Sequence, residues 1–268
     1  MDISRRIAFF LLAAGCACLA ALWFRQCAGA RADSVEGRPA PIMMYHHVGD
    51  ALTNRWWVSA AEFEAHLRHL RDNGYESVLP SDLKAAAEGR GALPARPVVL
   101  TFDDGGLDLL TFAEPIMARH GFTGVIYLIT GRVGTGLAGR MEYEGQPCLT
   151  WPEVRAMRER GNFRFGGHTR NSPDLRRAPD LDSEIRGCRD DLARELGAAP
   201  DSFSYPFGRY RSNAVEAVGR AGFGTAVTCE PKVFRIHANA AWLELPRVNV
   251  VGGAGLEAFE RALSQSGR

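Results

Sequence analysis

The sequence predicts an α/β protein whose parallel strands close, or nearly close, into a single-domain β/α barrel. Three observations carry that prediction. Strand-like and helix-like segments alternate along most of the chain. The run Pro97-Val98-Val99-Leu100-Thr101-Phe102 has the composition of a strand buried on both faces in a parallel sheet. The polar clusters all follow the same ends of the strand-like runs, as they do on the rim of a barrel. A length of 268 residues suits one sizeable domain better than two. A doubly wound open sheet is disfavoured, because no Gly-x-Gly-x-x-Gly loop follows the first strand.

Taken in order, the strands are expected at residues 42–45, 75–79, 98–102, 124–129, 163–165, 203–205, 224–228 and 243–248. The helices between them have legible ends. Ser59-Ala-Ala-Glu62 has the form of a capping box and opens a helix that stops at Asn73-Gly74. Thr150-Trp-Pro-Glu153 opens a second that stops at Gly161, with Pro152 in the first turn where its missing N–H costs nothing. Residues 182–196 and 212–221 end at Gly197 and Gly222. The glycine-rich residues 131–147 read as a long loop over one face.

The N-terminus has the pattern of a targeting segment. Arg5 and Arg6 precede an apolar stretch over residues 7–24, and Ala30-x-Ala32 suits cleavage before Asp33. The stretch approaches the roughly 20 residues that span a bilayer, so an uncleaved inner-membrane anchor is the alternative to a signal peptide over residues 1–32. Either reading exports residues 33–268 to the periplasm, the periplasmic face of a membrane, or the exterior. The net charge of +1, from 32 basic and 31 acidic residues, argues against a nucleic-acid partner. Of the six cysteines, Cys16, Cys18 and Cys27 lie in the targeting segment. Cys148, Cys188 and Cys229 lack metal-site spacing and leave either one disulfide or buried thiols.

Four polar clusters follow strand ends: His46-His47, Asp103-Asp104-Gly105, Gly167-His168-Thr169 and Pro206-Phe207-Gly208. Two adjacent carboxylates at a strand mouth repel each other unless a cation or a shared proton compensates them. Neighbouring side chains also point in different directions, so one can hold a metal while the other handles a proton. Convergence of all four clusters on one rim outweighs the plain reading of Asp-Asp-Gly as an acidic helix cap.

These motifs resemble those of the polysaccharide deacetylases, the NodB-homology carbohydrate esterases. Thr101-Phe-Asp-Asp-Gly105 is similar to the family's first motif, Gly167-His168-Thr169 to the start of its second, and Ser204-Tyr-Pro-Phe-Gly208 to its third. Met44-Tyr45-His46-His47-Val48 resembles a catalytic-histidine motif moved to the N-terminal side, as in the circularly permuted branch of poly-N-acetylglucosamine deacetylases from biofilm systems. The resemblance covers roughly residues 41–250. It implies a distorted barrel, a divalent metal that is often zinc, and hydrolysis of N-acetyl groups from a polysaccharide or oligosaccharide. By resemblance Asp104 and His168 are metal ligands, and Asp103 is the base that deprotonates metal-bound water. His46, or its neighbour His47, is the acid that protonates the leaving amine. Phe207 offers its backbone N–H to the oxyanion, with Tyr205 and Pro206 fixing the turn.

The chain departs from the pattern twice. Ser172 stands where the second motif supplies a further histidine ligand, and a serine hydroxyl is a poor zinc ligand. Asp174 is a substitute within reach along the sequence. Ser204 stands where an arginine often orients the base, and Arg247, at a later strand end, is the candidate replacement. Trp56, Trp57 and Trp151 are candidates for stacking on sugar rings or for packing. The weakened ligand set leaves an alternative to the enzyme: a non-catalytic glycan-binding or export scaffold.

Overall fold

The computed structural model describes residues 34–264, and the barrel unit begins at Val35. The expected targeting segment, residues 1–32, lies outside the described residues. Eight strands form the main sheet: β1 (Ile42–Tyr45), β2 (Glu76–Ser77), β3 (Pro97–Phe102), β4 (Gly124–Leu128), β5 (Phe163–Gly167), β6 (Ser202–Ser204), β7 (Thr225–Pro231) and β8 (Leu245–Asn249). Seven of them close a parallel ring in the order β1, β3, β4, β5, β6, β7, β8 and back to β1. The closing pairings are Ile42 to Val99 on one side of β1 and Val248 to Met43 on the other. β2 adds two residues to the start of β3 and stays outside the ring.

Alternation along these strands sorts the core into two layers. Val99 on β3, Val125 and Tyr127 on β4, Val227 on β7 and Leu245 on β8 make one buried cluster inside the ring. The intervening Leu100, Phe102, Ile126 and Leu128 face outward and pack with helix residues such as Phe63, Leu67 and Met117. The parity has a direct consequence for chemistry. Thr101 and then Asp103 continue the inward set of β3, and Arg247 continues that of β8.

Seven α-helices lie among the described residues: α1 (Ala60–Asp72), α2 (Pro80–Ala87), α3 (Glu114–His120), α4 (Trp151–Arg160), α5 (Leu181–Leu196), α6 (Ser212–Ala221) and α7 (Leu256–Ser264). α4 is capped as expected, with Thr150 N–H donating to Glu153 at 2.8 Å and Gly161 left-handed at φ 87°. α1 uses only half of its box. Glu62 N–H donates to Ser59 Oγ at 3.1 Å, but the Glu62 carboxylate turns away and accepts the N–H groups of Gly253 and Gly255. It ties the loop before α7 to α1.

α2 and α7 were not anticipated. α2 opens on Pro80 with Asp82 accepting the Leu79 N–H, a start without a Ser, Thr, Asp or Asn cap. Residues 131–147 are more ordered than a plain loop, ending in a hairpin that pairs Glu142 with Pro147 and Tyr143 with Gln146. The expected strand at 75–79 shortens to Glu76–Ser77 because Pro80 starts a helix immediately afterwards. Cys148 and Cys188 are buried free thiols and Cys229 is a half-buried one, so the disulfide option fails among the described residues. No helix among the described residues is long and apolar enough to cross a membrane.

Candidate active site

The strand ends expected to converge do so around a cleft of about 390 Å³, which His46, His47, Asp103, Asp104, His168 and Phe207 help to line. Each arrives from its own strand: His46 follows β1, Asp103 follows β3, His168 follows β5 and Phe207 follows β6. The turns that deliver them are strained. Asp104, Thr169, Ser172 and Phe207 all have left-handed backbones, at φ 74°, 63°, 55° and 57°. Such a conformation costs a non-glycine residue about 1–3 kcal/mol, which persists only where surrounding packing enforces it. Gly105 next to Asp104 also needs positive φ, and a Cβ there would lie 2.5 Å from Leu128 Cδ2.

Asp103 is 2% exposed and lies against the fully buried Arg247. Nη1 of Arg247 donates to Oδ1 and Nη2 to Oδ2, both at 2.8 Å. The other donors of Arg247 are used as well: Nε reaches the Thr228 carbonyl at 2.8 Å, Nη1 Thr101 Oγ1 at 3.2 Å and Nη2 Ser204 Oγ at 3.1 Å. Ser204 in turn donates to Asp103 Oδ2 at 3.3 Å. Burial pushes the Asp103 carboxyl up, but the Arg247 guanidinium overcomes this and holds it well below the usual range. Arg247 thus occupies the place of the expected orienting arginine, and Ser204 fills the vacated position as a hydroxyl bridge. Arg247 does not line the cleft, so it acts on Asp103 and not on a ligand.

Asp104 and His168 form a second pair. His168 Nδ1 lies 2.8 Å from the Ser204 carbonyl, which can only accept, so the proton of the neutral ring sits on Nδ1. That leaves the Nε2 lone pair facing Asp104 Oδ1 at 3.5 Å. Two acceptors opposed at this distance, one of them fixed by a carbonyl partner, fit a divalent cation between them. Among the described residues no third His, Cys, Asp or Glu completes the cluster. Asp174, one candidate substitute, is instead held by Arg176 in an ion pair of 2.5 Å and does not line the cleft.

Both histidines after β1 reach the cleft. The His46 ring packs 4.6 Å from Trp56, and its buried Nδ1 has no hydrogen-bond partner. Burial lowers its pKa, and the charges of Asp103 and Asp104 oppose that shift. His47 is committed elsewhere, stacked on Trp57 and bonded through Nδ1 to Asp108 at 3.0 Å. Asp108 was not foreseen, although it lies only four residues beyond the Asp-Asp pair; its other oxygen accepts the Val48 N–H and anchors the His46-His47 turn. Trp57 and Trp151 are buried packing residues, and Trp56 alone of the three tryptophans lines the cleft.

The third-motif turn presents Phe207 with a half-exposed ring, and its backbone N–H donates to no acceptor among the described residues. Tyr205, expected to fix this turn, stays out of the cleft. It is fully buried, stacked on Tyr210, and its hydroxyl donates to the Leu243 carbonyl at 3.0 Å. Its part is to brace the turn. Two further groups escaped the sequence reading: Tyr143, from the hairpin, and Arg209 both line the cleft.

Comparison with known proteins agrees with this geometry. Residues 90–226 match the family model described as polysaccharide deacetylase. YxkH of Bacillus subtilis (strain 168), whose name assigns it to the polysaccharide deacetylases, is 27% identical over 82% of this chain and 74% of its own. The poly-beta-1,6-N-acetyl-D-glucosamine N-deacetylase of Escherichia coli (strain K12) is 24% identical over 82% of this chain, which spans only 38% of that enzyme. The deacetylase PplD of Streptococcus pyogenes, solved in complex with acetate, superposes with a TM-score of 0.74 at 25% identity, covering 84% of this chain and 98% of that one. The barrel, the rim on which its motif turns meet and the match over residues 90–226 place this chain in the polysaccharide deacetylase family.

Proposed function

We propose that the protein hydrolyses N-acetyl groups from an N-acetylated polysaccharide of the cell envelope or its surroundings, with a divalent metal. The observation that carries this reading is the pairing of two differently dressed carboxylates on one rim. Asp103 is clamped by Arg247, and Asp104 faces the His168 lone pair. Asp104 and His168 would hold the cation, zinc being a suitable one for a carboxylate and an imidazole. When bound, the cation supplies Lewis-acid activation of the amide carbonyl and of attacking water.

The remaining work falls to residues of the chain. Arg247 keeps Asp103 ionised and oriented, with lone pairs left to take a proton at the cleft. His46, with Nδ1 free and Trp56 against its ring, would protonate the departing nitrogen. The unengaged Phe207 N–H would stabilise the oxyanion. The similarity to the Escherichia coli enzyme supports a poly-N-acetylglucosamine-type substrate, and a role in biofilm rests on the motif resemblance alone. Export is supported by the sequence pattern of residues 1–32 alone.

Ser172, in place of a third ligand, favours the alternative of a glycan-binding or export scaffold. One assay separates the two: acetate release from N-acetylglucosamine oligosaccharides by the purified chain, with chelator and with added Zn²⁺ or Co²⁺. Metal-dependent acetate release is the expected result. Glycan binding without acetate release under any metal would establish the scaffold.

A further inference from the structure

The flank that lacks a third ligand is not empty of polar groups. Ser172 is 7% exposed with a left-handed backbone, and its N–H donates to Thr169 Oγ1 at 2.9 Å. Its position is therefore set by the same turn that carries His168. Its hydroxyl lies 3.1 Å from the Tyr143 hydroxyl. Tyr143 belongs to the hairpin paired through Glu142 with Pro147 and turned at Glu144 and Gly145, with φ 48° and 76°. It lines the same cleft as Asp104 and His168, whereas Ser172 does not. The residue that replaces the ligand thus stands behind a phenol and holds it at the site.

We propose that the Ser172–Tyr143 pair stands in for the missing ligand, with Ser172 orienting the Tyr143 phenol as the third polar contact to a divalent cation held by Asp104 and His168. The inference rests on the metal reading above. Two consequences follow from the chemistry of the donors. Two oxygens and one imidazole nitrogen form a harder set than two imidazoles and a carboxylate, which narrows the usual preference for Zn²⁺ over Mn²⁺ and Co²⁺. Because the third contact comes from a hairpin and not from a barrel strand, cation binding also ties residues 142–147 to the rim.

The test is titration of the full chain and its variants with Co²⁺, followed by visible absorption, with Zn²⁺ competition and limited proteolysis of the hairpin as further readouts. Tyr143→Phe should weaken Co²⁺ binding about tenfold, as loss of a supporting contact does, alter the Co²⁺ spectrum and abolish protection of the hairpin by Co²⁺. Ser172→Ala should weaken binding by less, and the double variant should match Tyr143→Phe alone, since Ser172 acts only through the phenol. Ser172→His should tighten binding and make it indifferent to Tyr143→Phe. Thermal melts of the metal-free variants report folding separately. If Tyr143→Phe folds poorly, the Ser172 variants carry the test, and unchanged Co²⁺ affinity in both overturns the proposal. Wild-type affinity and spectrum in a folded Tyr143→Phe variant overturn it too. A parent chain that binds neither Co²⁺ nor Zn²⁺ overturns the metal reading together with this inference, whereas binding that ignores Tyr143 overturns this inference alone.

Discussion

Replacing Arg247 with methionine keeps much of the side-chain length and removes the charge that Asp103 faces. Both partners are buried, at 0% and 3% side-chain exposure, so solvent does not screen the loss. Two unit charges about 4 Å apart attract by about 4 kcal/mol at an effective dielectric of 20. Breaking one side of a buried pair costs about 3–5 kcal/mol in total, because the remaining charge is left desolvated. The variant also strips donors from the Thr228 carbonyl, Thr101 and Ser204, which argues for the upper part of that range. The pH dependence has a defined sign. In the parent, the Asp103 carboxyl is held below its unfolded value, so its contribution is present above about pH 4 and is lost as pH falls through the folded pKa. Without Arg247, burial is opposed chiefly by the attractions of His168 and His46, each smaller than the burial effect, so the folded pKa rises above the unfolded value and stability falls as pH climbs past about 4. Urea unfolding of both proteins at pH 4, 5.5 and 7.5 should show a deficit that widens toward neutrality. Adding Asp103→Asn to the variant should recover part of it. A deficit below about 1 kcal/mol, or one equal at pH 4 and 7.5, would refute the assignment of this pair as the internal clamp of the rim.

Other substitutions address the proposed division of labour. Asp103→Asn should abolish acetate release while Co²⁺ binding largely survives, since Asp104 and His168 remain; near-parental turnover would remove Asp103 from the role of base. His46→Ala should depress turnover on an N-acetyl substrate far more than on an activated acetate ester, whose leaving group hardly needs an acid. An equal loss on both substrates would make His46 a structural or binding residue. Gly252→Ala should lower stability by about 1–3 kcal/mol through overpacking, because a Cβ there would meet the Trp57 carbonyl oxygen at 1.7 Å. An unchanged thermal midpoint would show that this approach can relax freely.

What was legible in the sequence and what was not follow a physical division. Strand cores such as 97–102 and the capped helix at Thr150 announce themselves through local composition, so their positions hold to within a residue or two. The rim was legible for a related reason, since a strand that stops at a polar cluster leaves the cluster at its end wherever the strand goes. Partnerships across the ring were harder. Arg247 and Asp103 lie 144 residues apart, and their contact depends on inward parity of β3 and β8 together with closure of the ring. Asp108 and Tyr143 were invisible because nothing local marks an acid in a loop or a tyrosine in a glycine-rich hairpin as site residues.

The same closure explains how the site tolerates its strain. Left-handed backbones at Asp104, Thr169, Ser172 and Phe207 would together oppose folding by several kcal/mol at about 1–3 kcal/mol each. Each lies within a few residues of a barrel strand whose neighbours are hydrogen-bonded on both sides, so relaxing one turn would require shifting a strand held by two others. The Arg247 clamp works in the same direction. It links β8 to the ends of β3, β6 and β7 through Asp103, Ser204 and the Thr228 carbonyl. A carboxylate that was only electrostatically convenient would need one partner; this one is tied to three strands besides its own. The clamp therefore sets the charge of Asp103 and the geometry of the rim together, which is why the loss of Arg247 should appear in stability as well as in turnover.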